Sequence, residues 1–399
     1  MNLVLKAEDA QIAQSLSALV KVGDDLWIGG DEGVNVFRMV KSPDGADFVH
    51  GSEVNLVETF QLPHLKAKDA ASEVDLEGMD WDEKNSYLWL IASHSRKRKQ
   101  AKPTQSKEDN LRDLGKLSYD PHRFLLGRLA LKVDNGVSSA LAPGSYSGGH
   151  FPARLDCKAV GKDQEEEDQA TSADGISHSE LSKALWNDPL LGPFMQAKTP
   201  GKDNGLDIEG LAWEGQGERL LVGLRGPVLR GMAVLLEMQF DETFTGNATV
   251  GMLRMKPAKD GSLYRRHFLD LGGLSIRDLC FHGDDLLILA GPNIPAPWPA
   301  TIYRWKGARA ALNKGEEDFH WRMPKKTEDQ KEMEAVKISP EIEPYLAGTL
   351  PQAIDEGNPE GLTIWKDRLL LLRDSPSGSH LPGESTVLVD EVALTQAIV

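Results

Sequence analysis

This sequence predicts an all-β chain folded as one five- or six-bladed β-propeller, with helical and disordered loop insertions. Three observations carry that prediction. A short motif recurs five times, an apolar strand follows each copy across a turn, and a leftover N-terminal strand is available to complete the last sheet.

The first copy, Ser17-Ala18-Leu19-Val20-Lys21, precedes Leu26-Trp27-Ile28-Gly29-Gly30. The second, Glu77-Gly78-Met79-Asp80-Trp81, precedes Leu88-Trp89-Leu90-Ile91-Ala92, and the third, Glu209-Gly210-Leu211-Ala212-Trp213, precedes Leu220-Leu221-Val222-Gly223-Leu224. Arg277-Asp278-Leu279-Cys280-Phe281 leads into Leu286-Leu287-Ile288-Leu289-Ala290, and Glu360-Gly361-Leu362-Thr363-Ile364 into Leu369-Leu370-Leu371-Leu372-Arg373. From the first residue of the motif to the first residue of the second run is nine positions in three copies and eleven in two. The extra residues fall in the turn, where a hairpin tolerates them, and two of the three shorter turns read Gly-Asp-Asp.

A third strand is expected in each repeat, at 34–39, 124–131, 233–240, 301–305 and 386–391. Fourth strands are expected at 55–62, 150–155, 264–271 and 320–323, and the fifth repeat ends before one. Residues 3–7 precede the first repeat, and pairing them with the last blade closes the ring and removes a sheet edge. The repeats give five blades, and the gap between Glu77 and Glu209 has room for a sixth. The whole chain, 1–399, then forms one domain. Insertions are expected at 96–121, a basic and polar extended loop, at 160–204, acidic and then helical, and at 307–337. In the second, Ser177-His178-Ser179-Glu180 reads as a capping box, with Leu181, Ala184, Leu185 and Leu190 facing the body.

Composition narrows the function classes. With 45 basic and 61 acidic residues the formal net charge is −16, which argues against general binding of nucleic acid or anionic membrane. Cys157 and Cys280 make neither a disulfide framework nor a zinc site. The N-terminus lacks the apolar stretch of a signal peptide and no run has membrane-spanning length, so a cytoplasmic location is expected.

Topology also points to a site. In an antiparallel meander the start of the first strand and the loop from second to third strand emerge at the same end. One mouth of the channel should therefore collect Glu77, Glu209, Glu360, Arg277, Asp278, Asp75 and Asp207. The neighbouring loops add Asp31, His94, Arg96, Arg225, Arg373 and Asp374. Converging carboxylates repel unless a cation or an arginine neutralises them. As metal ligands, Glu77, Glu209, Glu360 and Asp278 offer only oxygen, which suits calcium, magnesium or manganese. As a catalytic group, Arg225, Arg277 and Arg373 suit an anionic substrate and His94 suits proton transfer near neutral pH. The plainer reading is structural: the glutamates pair with Arg277 or accept backbone hydrogen bonds, and the glycines are small because inner strands crowd. Trp81 and Trp213 are expected to pack between blades, and Cys280 to be a small buried residue.

The segments Asp75-Leu76-Glu77-Gly78-Met79, Asp207-Ile208-Glu209-Gly210-Leu211 and Asn358-Pro359-Glu360-Gly361-Leu362 carry a resemblance. Over most of its length the chain resembles a bacterial propeller family known as a domain of unknown function. More distantly it is similar to the esterase-like phytase and gluconolactonase/regucalcin propellers. The latter likeness implies a divalent cation held in the channel by Glu77 or Glu209, though the Asn and Asp that complete that site have no counterpart placed in this sequence. Two functions follow. One is a binding module that recognises a protein or small anionic partner at the mouth. The alternative is a divalent-metal-dependent hydrolase of a small anionic ester, lactone or phosphoester.

Overall fold

The computed structural model describes residues 3–7, 10–45, 47–62, 73–118, 120–141, 150–155, 179–243, 250–294, 300–345, 358–374, 381–383 and 385–394. Strand β1 (Leu3–Lys6) precedes blade one, which is a meander of β2 (Leu16–Val22), β3 (Asp25–Gly30), β4 (Asn35–Lys41) and β5 (Phe48–Asn55). Blade two opens with β6 (Leu76–Asp82) and β7 (Tyr87–Ala92). A small hairpin of β8 (Lys97–Arg98) and β9 (Leu117–Ser118) intervenes before β10 (Leu126–Asp134), β11 (Val137–Ala140) and β12 (Ala153–Leu155). Blade three comprises β13 (Asp207–Glu214), β14 (Arg219–Gly226) and β15 (Ala233–Met238). The excursion β16 (Phe240–Thr243) and β17 (Gly251–Met255) follows, and then β18 (Arg265–Leu269).

Blade four runs β19 (Ser275–His282), β20 (Asp285–Gly291), β21 (Thr301–Trp305), the excursion β22 (Asp318–His320), and β23 (Ile342–Pro344). Blade five is β24 (Asn358–Trp365), β25 (Arg368–Asp374) and β26 (Thr386–Ala393), completed by β1. Leu3 pairs with Val389 and Lys6 with Thr386, so the N-terminal strand closes the last blade as expected. The inner strands β2, β6, β13, β19 and β24 neighbour one another in cyclic order, and β24 returns to β2. The fold is an all-β propeller, with five such blades among the described residues.

The apolar core is five seams, one between each pair of neighbouring blades. Alternation along the strands builds them, because successive side chains of a strand face opposite sides. On β14, Leu220, Val222 and Leu224 face the seam with blade two, while Leu221 faces the seam with blade four. Each such leucine is worth about 1.5–3 kcal/mol of burial. Trp213 stacks on Trp89 of blade two at 5.2 Å between ring centroids, and Trp81 packs on the seam between blades one and two.

Several expectations need correction. The fourth strand of blade one is β5, not 55–62. Asn55 instead caps the short helix Leu56–Thr59, its Oδ1 accepting from the Glu58 amide at 3.0 Å. The fourth strand of blade four is β23, because 318–320 leaves its own blade and pairs in parallel with β18 of blade three. Similar parallel joins link β12 to β17 and β5 to β1, so excursions interlock the outer edges. The arm at 96–121 is ordered by β8–β9 and the helix Lys107–Gly115, capped by Ser106. The second insertion forms the helix Glu180–Trp186, whose cap is Ser179. Leu181 and Leu185 are buried there, but Leu190 is exposed. Ser177 and the acidic run 163–168 lie outside the described residues. No helix among the described residues is long and apolar enough to cross a membrane.

Candidate functional site at the channel mouth

One backbone irregularity recurs in all five inner strands. The register steps past Ser17, Glu77, Glu209, Arg277 and Glu360, leaving each without a partner on its neighbouring strand. These are the first residues of the five motif copies. A bulge of this kind sets two residues against one and re-aims the extra side chain. The motif therefore encodes a ring of bulged residues, in the order Ser17, Glu77, Glu209, Arg277, Glu360. On blade three a second step passes Arg225, which places it beside Glu209.

The ring is wired by charge. Arg277 Nε reaches Glu209 at 2.8 Å, and its Nη2 pairs with Glu360 on its other side. Arg225 donates to Glu209 Oε1 at 2.6 Å and lies 3.6 Å from Asp207. Glu209 is 2% exposed, Arg277 5% and Arg225 7%, so these bonds are shielded from water. Burial acts to lower the Arg225 guanidinium, but Glu209, Asp207 and Glu77 outweigh it and raise it. Burial lifts Asp207 to about 6 against the pull of Arg225. Asp75 is held by Arg123 and Lys97, which overcome its burial and keep it below the ordinary carboxylate range.

Glu77 is different. No hydrogen bond or ion pair joins it among the described residues. Burial pushes its carboxyl well above the usual value, and Asp75, Glu209, Asp207 and Asp31 add to the rise. Asp31 is raised to about 7 by burial and by Asp374 and Asp75, with Lys97 and Lys202 opposing. The acids on the blade-one side of the ring are thus short of positive charge, whereas those near blade four are matched.

Above the ring lies a cavity of about 410 Å³. Arg225, Arg277, Glu360 and Asp374 belong to its wall, with Lys202 and Asp203 from the stretch before β13. The arm supplies Arg98, Lys99 and Leu114. It is fastened there by Arg98 Nε to Asp203 at 2.7 Å and by the Gly201 amide donating to the Arg96 carbonyl at 3.1 Å.

Of the eight side chains named as metal ligands or catalytic groups, five meet: Glu77, Glu209, Glu360, Arg225 and Arg277. Three are placed elsewhere. His94 is 2% exposed and does not line the cavity; its Nδ1 faces the Ala92 carbonyl at 2.8 Å, and burial lowers it to about 4. It is neutral near pH 7 and poorly suited to give up a proton there. Arg373 is ion-paired inside blade five with Asp390 at 2.9 Å. Asp278 accepts from the Leu279 amide at 2.8 Å and from Leu362 of the next blade at 2.6 Å, which makes it a backbone clamp. It occupies the position that is glycine in three other copies. A Cβ on Gly78 would stand 2.8 Å from the Leu211 Cβ, so there the glycine is required by the close approach of blade three. Cys280 is half-buried. Arg123, Lys97, Lys99 and Lys202 were not legible as site residues, since none belongs to a repeat.

The residues do not suit the expected cation. Glu209 and Glu360 are committed to arginines and both Asp278 oxygens to the backbone, leaving Glu77 alone of the four. Among the described residues no three His, Cys, Asp or Glu side chains are arranged to hold a metal ion.

The family described as Protein of unknown function (DUF3616) matches residues 15–390, and the chain belongs to that family. No curated protein matches it. Among solved structures it is similar to a Thermus thermophilus protein described as a glucose dehydrogenase-type oxidoreductase, at 14% identity and TM-score 0.36, covering 98% of this chain and 100% of that one. The PQQ-bound aldose sugar dehydrogenase of Streptomyces coelicolor matches at 11% identity and TM-score 0.35, covering 98% and 99%. Saccharomyces cerevisiae Sqt1 matches at 11% and 0.28, covering 98% and 99%. Such scores carry nothing about chemistry, and the fold rests on the strand order itself.

Proposed function

We propose that this member of the DUF3616 family is a binding propeller that takes a small anionic molecule in the cavity at the channel mouth. The observation that carries this reading is the wall of that cavity. Five basic side chains, Arg98, Lys99, Lys202, Arg225 and Arg277, face three acidic ones, Asp203, Glu360 and Asp374. Arg225 and Arg277 are held in place by Glu209, which lowers the entropic cost of ordering them around a ligand. Lys99 and Lys202 have no ion-pair partner among the described residues and are free to meet the anion. A volume near 410 Å³ suits a small molecule better than a protein segment.

A thermal-shift and calorimetric panel of sugar acids, dicarboxylates and phosphoesters tests this. A panel member should bind, and the double variant Lys99→Ala/Lys202→Ala should weaken it at least tenfold, while Lys84→Ala, exposed on another turn, leaves it unchanged. Binding that survives the double variant, or no binding across the panel, removes the reading.

The hydrolase alternative keeps one supporting observation. Glu77, whose carboxyl is pushed well above its usual value, keeps its proton to higher pH than an exposed glutamate and so is the candidate acid. Hydrolysis of a panel phosphoester or lactone, lost in Glu77→Gln with binding intact, would favour it over the binding module.

A further inference from the structure

Far from the mouth, three buried side chains and a fourth at the edge of solvent form an unbroken chain across two blades. Glu237 of β15 faces His267 Nε2 at 3.0 Å, and His267 Nδ1 faces His320 Nε2 at 3.2 Å. His320 Nδ1 in turn faces Glu341 at 2.5 Å, just ahead of β23. Glu237, His267 and His320 are 2%, 1% and 1% exposed, and only Glu341 approaches water. Trp305 lies against His320 with ring centroids 4.0 Å apart and planes tilted by 41°, and its ring is 5.5 Å from His267.

Three hydrogen bonds in a row need three protons. Two neutral imidazoles supply one each, so a third must be present or two lone pairs face each other in the dry interior. A fourth proton is equally disruptive, because two imidazolium N–H groups then oppose each other at 3.2 Å. The surroundings fix where the third proton sits. Arg219 of β14 and Arg265 of β18 lie 3.6 and 3.5 Å from Glu237, and Glu214 of β13 shares Arg219. Asp318 lies near His320, and Lys314 near Glu341. With two arginines against Glu237, the third proton belongs in the hydrogen bond between Glu237 and His267 Nε2, and His267 Nδ1 donates to His320. His320 stays neutral, accepting at Nε2 and donating at Nδ1. Burial lowers His320, against the hydrogen bond to Glu341 and with the charge of His267 adding to the fall.

The chain spans the parallel join of β18 and β22, the seam by which the blade-four excursion is fastened to blade three. We propose that Glu237, His267, His320 and Glu341 form a proton-counted clasp, which holds the excursion 313–341 on blade three with three protons and loosens it with two or four. Loosening frees the outer aromatic ladder of Phe268, Phe319 and Trp321, whose last two members are already exposed.

Hydrogen exchange of the full chain, followed on peptides covering 314–323 and 336–345 and corrected for intrinsic pH dependence, tests the clasp. Protection should peak in a middle pH window and fall about tenfold on each side, the size of one buried charged hydrogen bond. A flat profile overturns the proposal. His320→Phe keeps an aromatic ring against Trp305 but breaks the chain, and it should give low, pH-independent protection; a wild-type profile in this variant also overturns it. Glu341→Gln, at the wetter end, should move the alkaline loss to lower pH by removing a charge that favours the third proton. An unmoved alkaline midpoint there counts against the clasp even where the His320 variant fails to fold.

Discussion

Glu77 and Glu209 occupy the same bulge on adjacent blades, yet replacing each with glutamine should have opposite effects. Glu209 accepts from Arg225 at 2.6 Å and pairs with Arg277 at 2.8 Å, all three being buried. Glutamine there keeps one acceptor oxygen and turns an N–H₂ toward the other guanidinium. Breaking a buried ion pair costs about 3–5 kcal/mol. Arg277 retains Glu360 and Arg225 retains Asp207, so the low end, about 3 kcal/mol, is expected. Glu77 has no ion pair to lose among the described residues. Its folded-state pKa lies above the ordinary 4.5, so the folded protein binds more protons than the unfolded chain between those two values. Stability falls with rising pH across that window, and the cost is complete above the folded value. Glu77→Gln removes the cost. It should be near neutral in acid and stabilising at higher pH. Urea midpoints of both variants at two pH values, about 5 and about 8, measure this. Equal losses from the two, or a larger loss from Glu77→Gln at the higher pH, would refute the charge pattern assigned to the ring.

Two other outcomes follow from the same geometry. Asp31, raised from 3.8 to about 7, should make the wild type lose stability as pH rises through that interval, and Asp31→Asn should flatten that part of the profile in the same denaturation assay. Gly78→Ala forces a Cβ to within 2.8 Å of Leu211 and should lower stability by about 1–3 kcal/mol, read as a fall in Tm; an unchanged Tm would mean that blades two and three can part without cost.

How much of this was legible in the sequence depends on the kind of signal. The inner two strands of each blade are apolar on both faces and separated by short turns, so Leu220 to Leu224 or Leu369 to Leu372 announce themselves. Outer strands do not. In Phe48–Asn55 only Phe48 is fully buried and half the residues are polar, so nothing local distinguishes it from a loop. Asp318–His320 is a strand only because β18 of another blade offers it an edge. At the mouth, the motif residues Glu209 and Arg277 could be placed together by topology. His94 and Arg373 could not be excluded from it, since the backbone at His94 turns through φ 54° and Arg373 finds Asp390 on the neighbouring strand of its own sheet. Partners contributed from outside the repeats, such as Arg123 to Asp75, carry no repeat signal at all.

The bulge explains why the five copies can differ so freely at their first residue. In a regular strand that residue would have to suit a fixed cross-strand neighbour. Stepped out of register, it answers only to the residues beside it around the ring. Arg277 stands between two glutamates and pairs with both. Glu77 stands between Glu209 and Ser17, and Ser17 commits its hydroxyl to the Leu76 carbonyl. The side of the ring opposite Arg277 is therefore left with an acid that nothing in the described protein satisfies. A propeller built only for stability would gain from a neutral residue at Glu77, since no pair would be broken. An unpaired acid beside a basic-walled cavity is the reason to look for a ligand at this end of the channel.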